Sequence, residues 1–175
     1  MEGAVLGRVL IHALFPAPAF AADTFSKLAA LVQSSVSGSE EVDVEILSSS
    51  KRTSRKGEAE YFTGNVWVDE IAMGAEPSRV RLFRVSFEPG ARTAWHTHPV
   101  GQVLHVLTGS GLVQKEGEPV RAIHPGDTVM IEPGARHWHG AAAGNTMVHL
   151  AMQEADAKGV TAVWMEKVSD QEYGA

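Results

Sequence analysis

The sequence predicts an all-β fold, a jelly-roll barrel preceded by a short N-terminal extension. From Glu60 onward, short segments rich in β-branched and aromatic residues are separated by turns that contain glycine and proline, which is typical of a β-sandwich or barrel. Tight turns are marked by Pro-Gly pairs, which begin at Pro89, Pro125 and Pro133. About eight strands separated in this way suit a jelly roll, in which two sheets share one core.

The composition indicates one globular domain and excludes several classes of protein. A chain of 175 residues with 44% hydrophobic residues is long enough for a single domain with its own core. The net charge of −6 argues against a nucleic-acid partner, which needs a basic face. The chain has no cysteine, so disulfides and thiolate metal sites are excluded. Of the 8 histidines, all except His12 fall between His96 and His149, and this crowding indicates a metal site.

Residues 1–22 are largely apolar and predict a secretory signal peptide. Arg8 precedes a short apolar run, and Ala19, Phe20 and Ala21 have the small-x-small form of a cleavage site. The alternative is a disordered N-terminus. The segment is too short and too interrupted by proline to span a membrane, which takes about 20 apolar residues. A cleaved signal predicts a periplasmic protein, and otherwise a cytoplasmic location is expected.

Residues 23–57 are predicted to form an N-terminal helix and a linker ahead of the main domain. Apolar residues recur at helical spacing within residues 24–36. Residues 42–47 alternate as an edge strand does, and the charged residues 51–57 are predicted to be a solvated linker. The main domain then covers residues 58–173.

The main domain contains about eight predicted strands, each a short apolar or alternating segment bounded by turn residues. They cover residues 61–68, 80–88, 94–98, 102–107, 112–114, 120–123, 128–131 and 147–153. Residues 154–175 are predicted to be a polar tail, with one helical turn near residues 161–166.

Three histidines and a glutamine are candidate metal ligands. His96 and His98 are two residues apart, so on an extended strand both imidazoles project to the same face. Gln102 follows a Pro-Val-Gly turn and offers a neutral carbonyl donor, and His137 follows a Pro-Gly turn. Nitrogen and oxygen donors that converge on one point predict a divalent metal site. The alternatives are histidines that make only hydrogen bonds, and an amide that merely orients one of them.

These residues carry a resemblance to a known family. Their spacing resembles that of the two cupin motifs, the first made of Gly90, His96, His98, Gln102 and Gly109 and the second of Gly126, Gly134 and His137. The longer sequences at residues 93–99, 137–141 and 149–154 are similar to those of small bacterial single-domain cupins, a group that includes the manganese-dependent hydroxynitrile lyases. The resemblance covers residues 60–173.

The resemblance implies a cupin double-stranded β-helix that binds a divalent metal through His96, His98, Gln102 and His137. It favours Mn²⁺, while nitrogen and oxygen donors also suit Fe²⁺, Zn²⁺, Ni²⁺ or Co²⁺. Gln102 stands where most cupins carry a glutamate, so this donor set has no negative charge. A divalent ion held by neutral donors keeps its full charge and suits Lewis-acid chemistry.

Strand parity predicts catalytic residues beside the metal. His149 and Gln153 share a face of one predicted strand with Met147 and Ala151. Burying polar groups on such an apolar face is costly unless they have partners or a function. We therefore expect His149 to act as a general acid or base, and Gln153 to contact the substrate.

Further polar residues are assigned by their position relative to the ligands. His139 is two residues beyond the last ligand and is expected to line the same cavity as a further catalytic residue. Thr93 is a second expected substrate contact. For His139 and His149 the alternative is a hydrogen-bonded structural role. His105 has the opposite parity to the ligand on its strand and His124 precedes a turn, so both are predicted to lie outside the site.

The resemblance implies a carbon–carbon lyase of the hydroxynitrile lyase type, which reversibly cleaves a cyanohydrin, a small molecule, into an aldehyde and hydrogen cyanide. The alternatives are a cupin oxygenase or another metal-dependent enzyme acting on a small organic substrate, and a non-catalytic cupin that binds a metal and a small ligand. Cupin relatives commonly pair through outer sheet faces. Val148, Leu150 and Met152 supply such an apolar face here, which predicts a homo-oligomer, a dimer or a tetramer.

Overall fold

The structure, a computed structural model, describes residues 44–174. The strands in this part of the chain are β1 (Ser54–Lys56), β2 (Phe62–Thr63), β3 (Val66–Met73), β4 (Val80–Phe87), β5 (Arg92–Thr93), β6 (His96–Thr97), β7 (Gln102–Gly109), β8 (Gly111–Lys115), β9 (Arg121–Ile123), β10 (Thr128–Ile131), β11 (His137–Ala141), β12 (Met147–Glu154) and β13 (Val163–Trp164). A 3-10 turn at Ser49–Lys51 precedes them, and one short helix, α1 (Asp170–Tyr173), follows. The predicted signal peptide and the helix over residues 24–36 lie outside the described residues. Among the helices of residues 44–174, none has the length and apolar character to cross a membrane.

The strands form two antiparallel sheets that enclose one core. The first sheet has the order β1-β3-β4-β12-β7-β10. The second has the order β13-β6-β11-β5-β2, with β8 paired to β11 and β9 paired to β8. Buried side chains from both sheets pack into a single cluster that includes Phe87, Leu104 and Met147 of the first sheet and Ala141 of the second. The prediction of an all-β jelly roll is confirmed.

Strand β12 shows how the sequence sets the two faces of the first sheet. Met147, His149 and Ala151 are buried, while Val148 is half-buried and Met152 is exposed. This alternation follows from the two-residue period of a strand. Because β12 lies between β4 and β7 and pairs with both, its inward residues reach the centre of the barrel. The face assigned to His149 from strand parity is therefore confirmed.

The chain after β12, residues 155–174, is not the polar tail that the sequence predicted, and we refer to it as the C-terminal segment. Residues 163–164 form β13, which pairs with β6, so the helical turn predicted over residues 161–166 is wrong. The helix forms later, at α1, where the Ser169 side chain and Glu172 make a capping box. Pairing of residues 163–164 with the edge of β6 therefore outweighs the local preference of this sequence for a helical turn.

A buried arginine binds the C-terminal segment to the outer face of the second sheet through hydrogen bonds. Arg92 donates to the Val168 carbonyl at 3.0 Å and to the Asp170 carboxylate at 2.6 Å. Its guanidinium lies over the Tyr173 ring, 4.6 Å from the centroid. The Tyr173 hydroxyl donates to the Ala141 carbonyl at 2.7 Å. The second sheet is therefore covered on both faces.

Three predictions near the start of the domain are corrected. Residues 51–57 are not simply a linker, because β1 lies within them and pairs with β3, Ser54 opposite Asp69. Residues 44–47, the described part of the predicted edge strand, form no regular structure. The single strand predicted over residues 61–68 is two strands, because Gly64 takes a left-handed conformation with φ of 76° and turns the chain.

Candidate metal centre and active site

Five buried histidines lie together between the two sheets, and their positions follow from strand pairing. The buried histidines are His96, His98, His137, His139 and His149. His137 of β11 is directly opposite His96 of β6. Residues opposite each other on paired strands project to the same face. The ring centroids of His96 and His137 are accordingly 4.2 Å apart, and those of His96 and His98 are 5.0 Å apart.

Two of these histidines are oriented by the chain just before them. Nδ1 of His96 is 2.9 Å from the Ala94 carbonyl oxygen, and Nδ1 of His137 is 2.9 Å from the Ala135 carbonyl oxygen. A carbonyl only accepts, so Nδ1 carries the proton and Nε2 presents a lone pair. Burial lowers the pKa of His137 to about 4 and holds the pKa of His96 well below its usual value. Both rings are therefore neutral, as a metal ligand must be.

His98 is oriented by the C-terminal segment and leaves one buried nitrogen without a partner. Its Nδ1 donates to the Thr161 carbonyl oxygen at 2.6 Å. Its Nε2 is buried, and no hydrogen-bond partner reaches it in the described structure. A buried polar atom left in this state is costly and calls for a missing partner. A bound metal ion would supply that partner to Nε2 of His98.

The side-chain amide of Gln102 presents its oxygen to the same place. Its Nε2 donates to Oε1 of Gln153 at 2.8 Å, and the two residues are directly opposite on β7 and β12. Its Oε1 is 3.3 Å from Nε2 of His137. Because the His137 proton is already on Nδ1, two acceptor atoms face each other here. A bound cation would remove this repulsion, so the residues fit a metal.

His139 and His149 form a separate contact beside the nitrogens of the candidate metal ligands. Nε2 of His149 is 3.3 Å from Nδ1 of His139, a distance at which two neutral imidazoles can share one proton in a hydrogen bond. The remaining nitrogens, Nε2 of His139 and Nδ1 of His149, are buried without a partner in the described structure. Burial lowers the pKa of His149 to about 4. Burial, followed by the charge of His149, holds the pKa of His139 well below its usual value.

The most compact group of potential ligands is not the one that the sequence predicted. One ring nitrogen from each of His96, His137 and His139 lies within 4.8 Å of the other two. This group of three histidines suits a divalent metal and contains His139 in place of His98. The two candidates differ in their other nitrogen, which contacts a carbonyl oxygen in His98 and a second imidazole in His139.

All of the clustered histidines except His137 line a cavity of about 210 Å³. An apolar cavity of ~150 Å³ holds a benzene molecule, so this one has room for a small organic substrate. Its wall includes Phe83 and Val85 of the first sheet. Trp164 of β13 forms another side and stacks on both His96 and Tyr61, with ring centroids 4.6 and 4.8 Å apart.

Similarity to known proteins shows which family the chain belongs to. Residues 83–152 match the family model of the cupin domain. A protein of Granulicella tundricola named (R)-mandelonitrile lyase is 50% identical over 131 residues, which are 74% of this chain and 98% of that protein. The chain belongs to the cupin family.

Solved structures agree with this assignment. A cupin-like protein from Thermotoga maritima is 39% identical, with a TM-score of 0.63 over 75% of this chain and 95% of that one. A polyketide cyclase from Streptomyces resistomycificus shares only the fold, with 16% identity and a TM-score of 0.58 over 75% of this chain and 91% of that one.

In this cupin, the site residues singled out from the sequence all lie at or beside the histidine cluster. Thr93 accepts a hydrogen bond from the His139 backbone at 3.1 Å and lines the cavity. Gln153 lines the cavity as well, but its amide oxygen is occupied by Gln102. His105 contacts Thr128 on the outer side of the barrel, outside the cluster as predicted.

Sequence reasoning did not find several polar and aromatic residues that line the cavity of the cupin. Thr161 and Trp164 belong to the C-terminal segment, Arg55 belongs to the predicted linker, and Glu58 directly follows that linker. A tryptophan in an otherwise polar tail was the one signal available, because large aromatic residues are mostly buried. Thr161 acts through its backbone carbonyl, which no residue type reveals.

Proposed function

We propose that this cupin is a metal-dependent carbon–carbon lyase that cleaves a cyanohydrin reversibly into an aldehyde and hydrogen cyanide. The proposal depends on the contact between two neutral histidines, His139 and His149, beside the uncharged nitrogen and oxygen atoms of the candidate metal ligands. These groups lie at a cavity large enough for a small molecule. The name of the 50% identical relative, (R)-mandelonitrile lyase, supports the same reaction.

The proposed metal ligands are Nε2 of His96, His98 and His137, together with Oε1 of Gln102. These nitrogen and oxygen donors suit several divalent ions, and the resemblance to manganese-dependent lyases favours Mn²⁺. When bound, the ion supplies Lewis-acid chemistry, which favours negative charge on the substrate oxygen. Because the donors are neutral, they leave the charge of the ion undiminished.

The protein's own part in the reaction is to move one proton. Cleavage breaks the O–H bond and the bond between the hydroxyl carbon and the nitrile carbon, whose electron pair leaves with cyanide. Neutral His149 accepts the hydroxyl proton and returns it to the cyanide carbon, which gives hydrogen cyanide. An imidazolium with a pKa near 4 gives up its proton readily. The protein thus ends each turnover in its starting state.

Thr93 and Gln153 are proposed to position the substrate. The Thr93 oxygen accepts the His139 backbone N–H, so its own O–H is free to donate to the substrate oxygen. The Gln153 amide accepts from Gln102 through its oxygen, which leaves its NH₂ group free to donate to the nitrile nitrogen. The apolar wall formed by Phe83 and Val85 excludes water from the reacting carbon.

Metal analysis and a cyanohydrin assay on one purified sample test this function. We expect close to one divalent ion per chain, cleavage of benzaldehyde cyanohydrin, and loss of that activity when a chelator removes the ion. Oxygen uptake by an iron-loaded sample without any cleavage would assign the site to an oxygenase instead. Ligand binding without turnover of either kind would indicate a binding module.

We also propose that the cupin forms a homo-oligomer through the outer face of the first sheet. A cross-strand row of apolar side chains runs over this face and consists of Leu82, Met152, Val103 and Met130. Met130 is 69% exposed and Met152 is 43% exposed. Val148 and Leu150, which the sequence also placed on this face, are half-buried and contribute less.

Light scattering at micromolar concentration should therefore give at least twice the 18.7 kDa mass of the chain. Met130→Glu should shift the protein towards the monomer, because each copy would then bury a charge against an apolar partner. Val163→Glu is the control, since Val163 is an exposed apolar residue of the second sheet. A monomeric parent protein would refute the proposed assembly.

A further inference from the structure

One row of side chains on the inner face of the first sheet joins the catalytic histidine to the edge of the barrel. Arg55 of β1 is opposite Val68, Val68 is opposite Val85, and Val85 is opposite His149. Directly opposite residues project to the same face of a sheet. All four side chains line the same cavity. The row therefore has a cation at the open edge, a histidine at the centre and two valines between them.

The length of this row matches a small substrate. Three strand spacings of ~4.8 Å place the backbones of Arg55 and His149 about 14 Å apart along the sheet. The cavity that both side chains line, of about 210 Å³, has room for a small organic molecule along this row. A substrate that lies on Val68 and Val85 with its reacting carbon near His149 has its far end near Arg55.

The guanidinium at the edge has no partner of its own in the described part of the chain. Arg84 is paired with Asp69 at 3.0 Å and Arg92 with Asp170 at 2.6 Å, and neither of these arginines lines the cavity. Arg55 makes no ion pair and no hydrogen bond within residues 44–174, although it is at the mouth of a cavity. The planar guanidinium binds a carboxylate through two parallel hydrogen bonds.

We propose that Arg55 binds a carboxylate group at the end of the substrate remote from the reacting carbon. The inference rests on the proposed lyase function and specifies its substrate class as cyanohydrins, or their aldehydes, that carry an acidic group. Glu58 also lines the mouth and repels anions. Because repulsion grows with charge, Glu58 disfavours a doubly charged phosphate more than a carboxylate.

The test compares kcat/KM for the cyanohydrins of 4-carboxybenzaldehyde and benzaldehyde. We expect the parent protein to prefer the carboxylate, and Arg55→Gln to lower this preference about tenfold, as for one charge-assisted hydrogen bond at a solvated mouth. Glu58→Gln should raise the preference. Lys56→Gln is the matched control, because Lys56 is opposite Trp67 on the other face of the same strand. An unchanged preference in Arg55→Gln, or an equal loss in Lys56→Gln, would overturn the inference.

Binding measured by calorimetry tests the Arg55 site independently of the proposed lyase reaction. The probes are 4-carboxybenzyl alcohol and benzyl alcohol, titrated into the metal-loaded parent and Arg55→Gln proteins. Selective loss of the carboxylate ligand in the variant, without any cyanohydrin cleavage by the parent, would support the Arg55 site and refute the lyase. Cleavage without carboxylate selectivity would refute the Arg55 site alone. The selectivity should also weaken with added salt, which screens an exposed charge.

Discussion

His96→Ala is expected to strip the divalent ion from the purified protein and to abolish its activity. His96 belongs both to the proposed ligand set and to the compact group of three histidines, and its Nε2 lone pair is free. Loss of a group that only orients a ligand costs ~10–100-fold in metal affinity, so loss of a ligand should cost at least ~100-fold. Elemental analysis after gel filtration, with calorimetric titration of Mn²⁺, measures the effect.

Two further variants test whether His98 or His139 is the third histidine ligand of the metal. His98→Ala should lose the ion, whereas His139→Ala should retain it. The reverse result would place His139 in the coordination shell and His98 outside it. His105→Ala is the control, because it removes an imidazole from the outer side of the barrel. Full metal retention in His96→Ala would exclude the proposed centre.

His149→Ala is expected to keep the ion and to lose most of its turnover. His149 is fully buried, and its Nε2 faces His139 rather than the proposed ligands. General acid–base groups contribute ~10²–10⁴-fold, so the cyanohydrin cleavage rate should fall by that order. The experiment measures metal content and cleavage rate on the same sample.

Removal of a buried ring also leaves a cavity, so thermal unfolding of the variant must be followed as well. His149→Gln, which keeps more of the volume but cannot carry the same proton, should show the same loss of rate with a smaller loss of stability. A rate within a few-fold of the parent, with the ion retained, would make His149 a structural core residue. Loss of the ion would assign it to the coordination shell.

Local patterns in the sequence were sufficient to predict the barrel and the gathering of the histidines. Two of these patterns are properties of single strands: the two-residue spacing of His96 and His98, and the alternation of inward and outward side chains along β12. The geometry of a strand is enough to predict from them which side chains share a face. The contact between Gln102 and Gln153 depends instead on the register between β7 and β12, which no single strand encodes. The orientation of the Gln102 amide was for that reason beyond sequence reasoning.

The residues that were missed come from segments with weak local signals. Arg55 lies in a three-residue strand with every residue exposed, and a short charged stretch of this kind is more often a linker. It becomes a strand only because the edge of β3 is available for pairing. The C-terminal segment also has a weak local signal, because its sequence has little apolar character. It takes a defined conformation through pairing with β6 and through its hydrogen bonds to Arg92.

The dependence of His98 on the C-terminal segment has a consequence for the order of events during synthesis. All four proposed ligands precede residue 154, whereas the Thr161 carbonyl that orients His98 and the Trp164 ring that packs on His96 follow it. A nascent chain that ends before β13 therefore contains every proposed ligand but leaves one imidazole free to rotate. If the proposed ligands hold the metal, we expect the complete centre to form only after residues 155–174 have emerged and folded back.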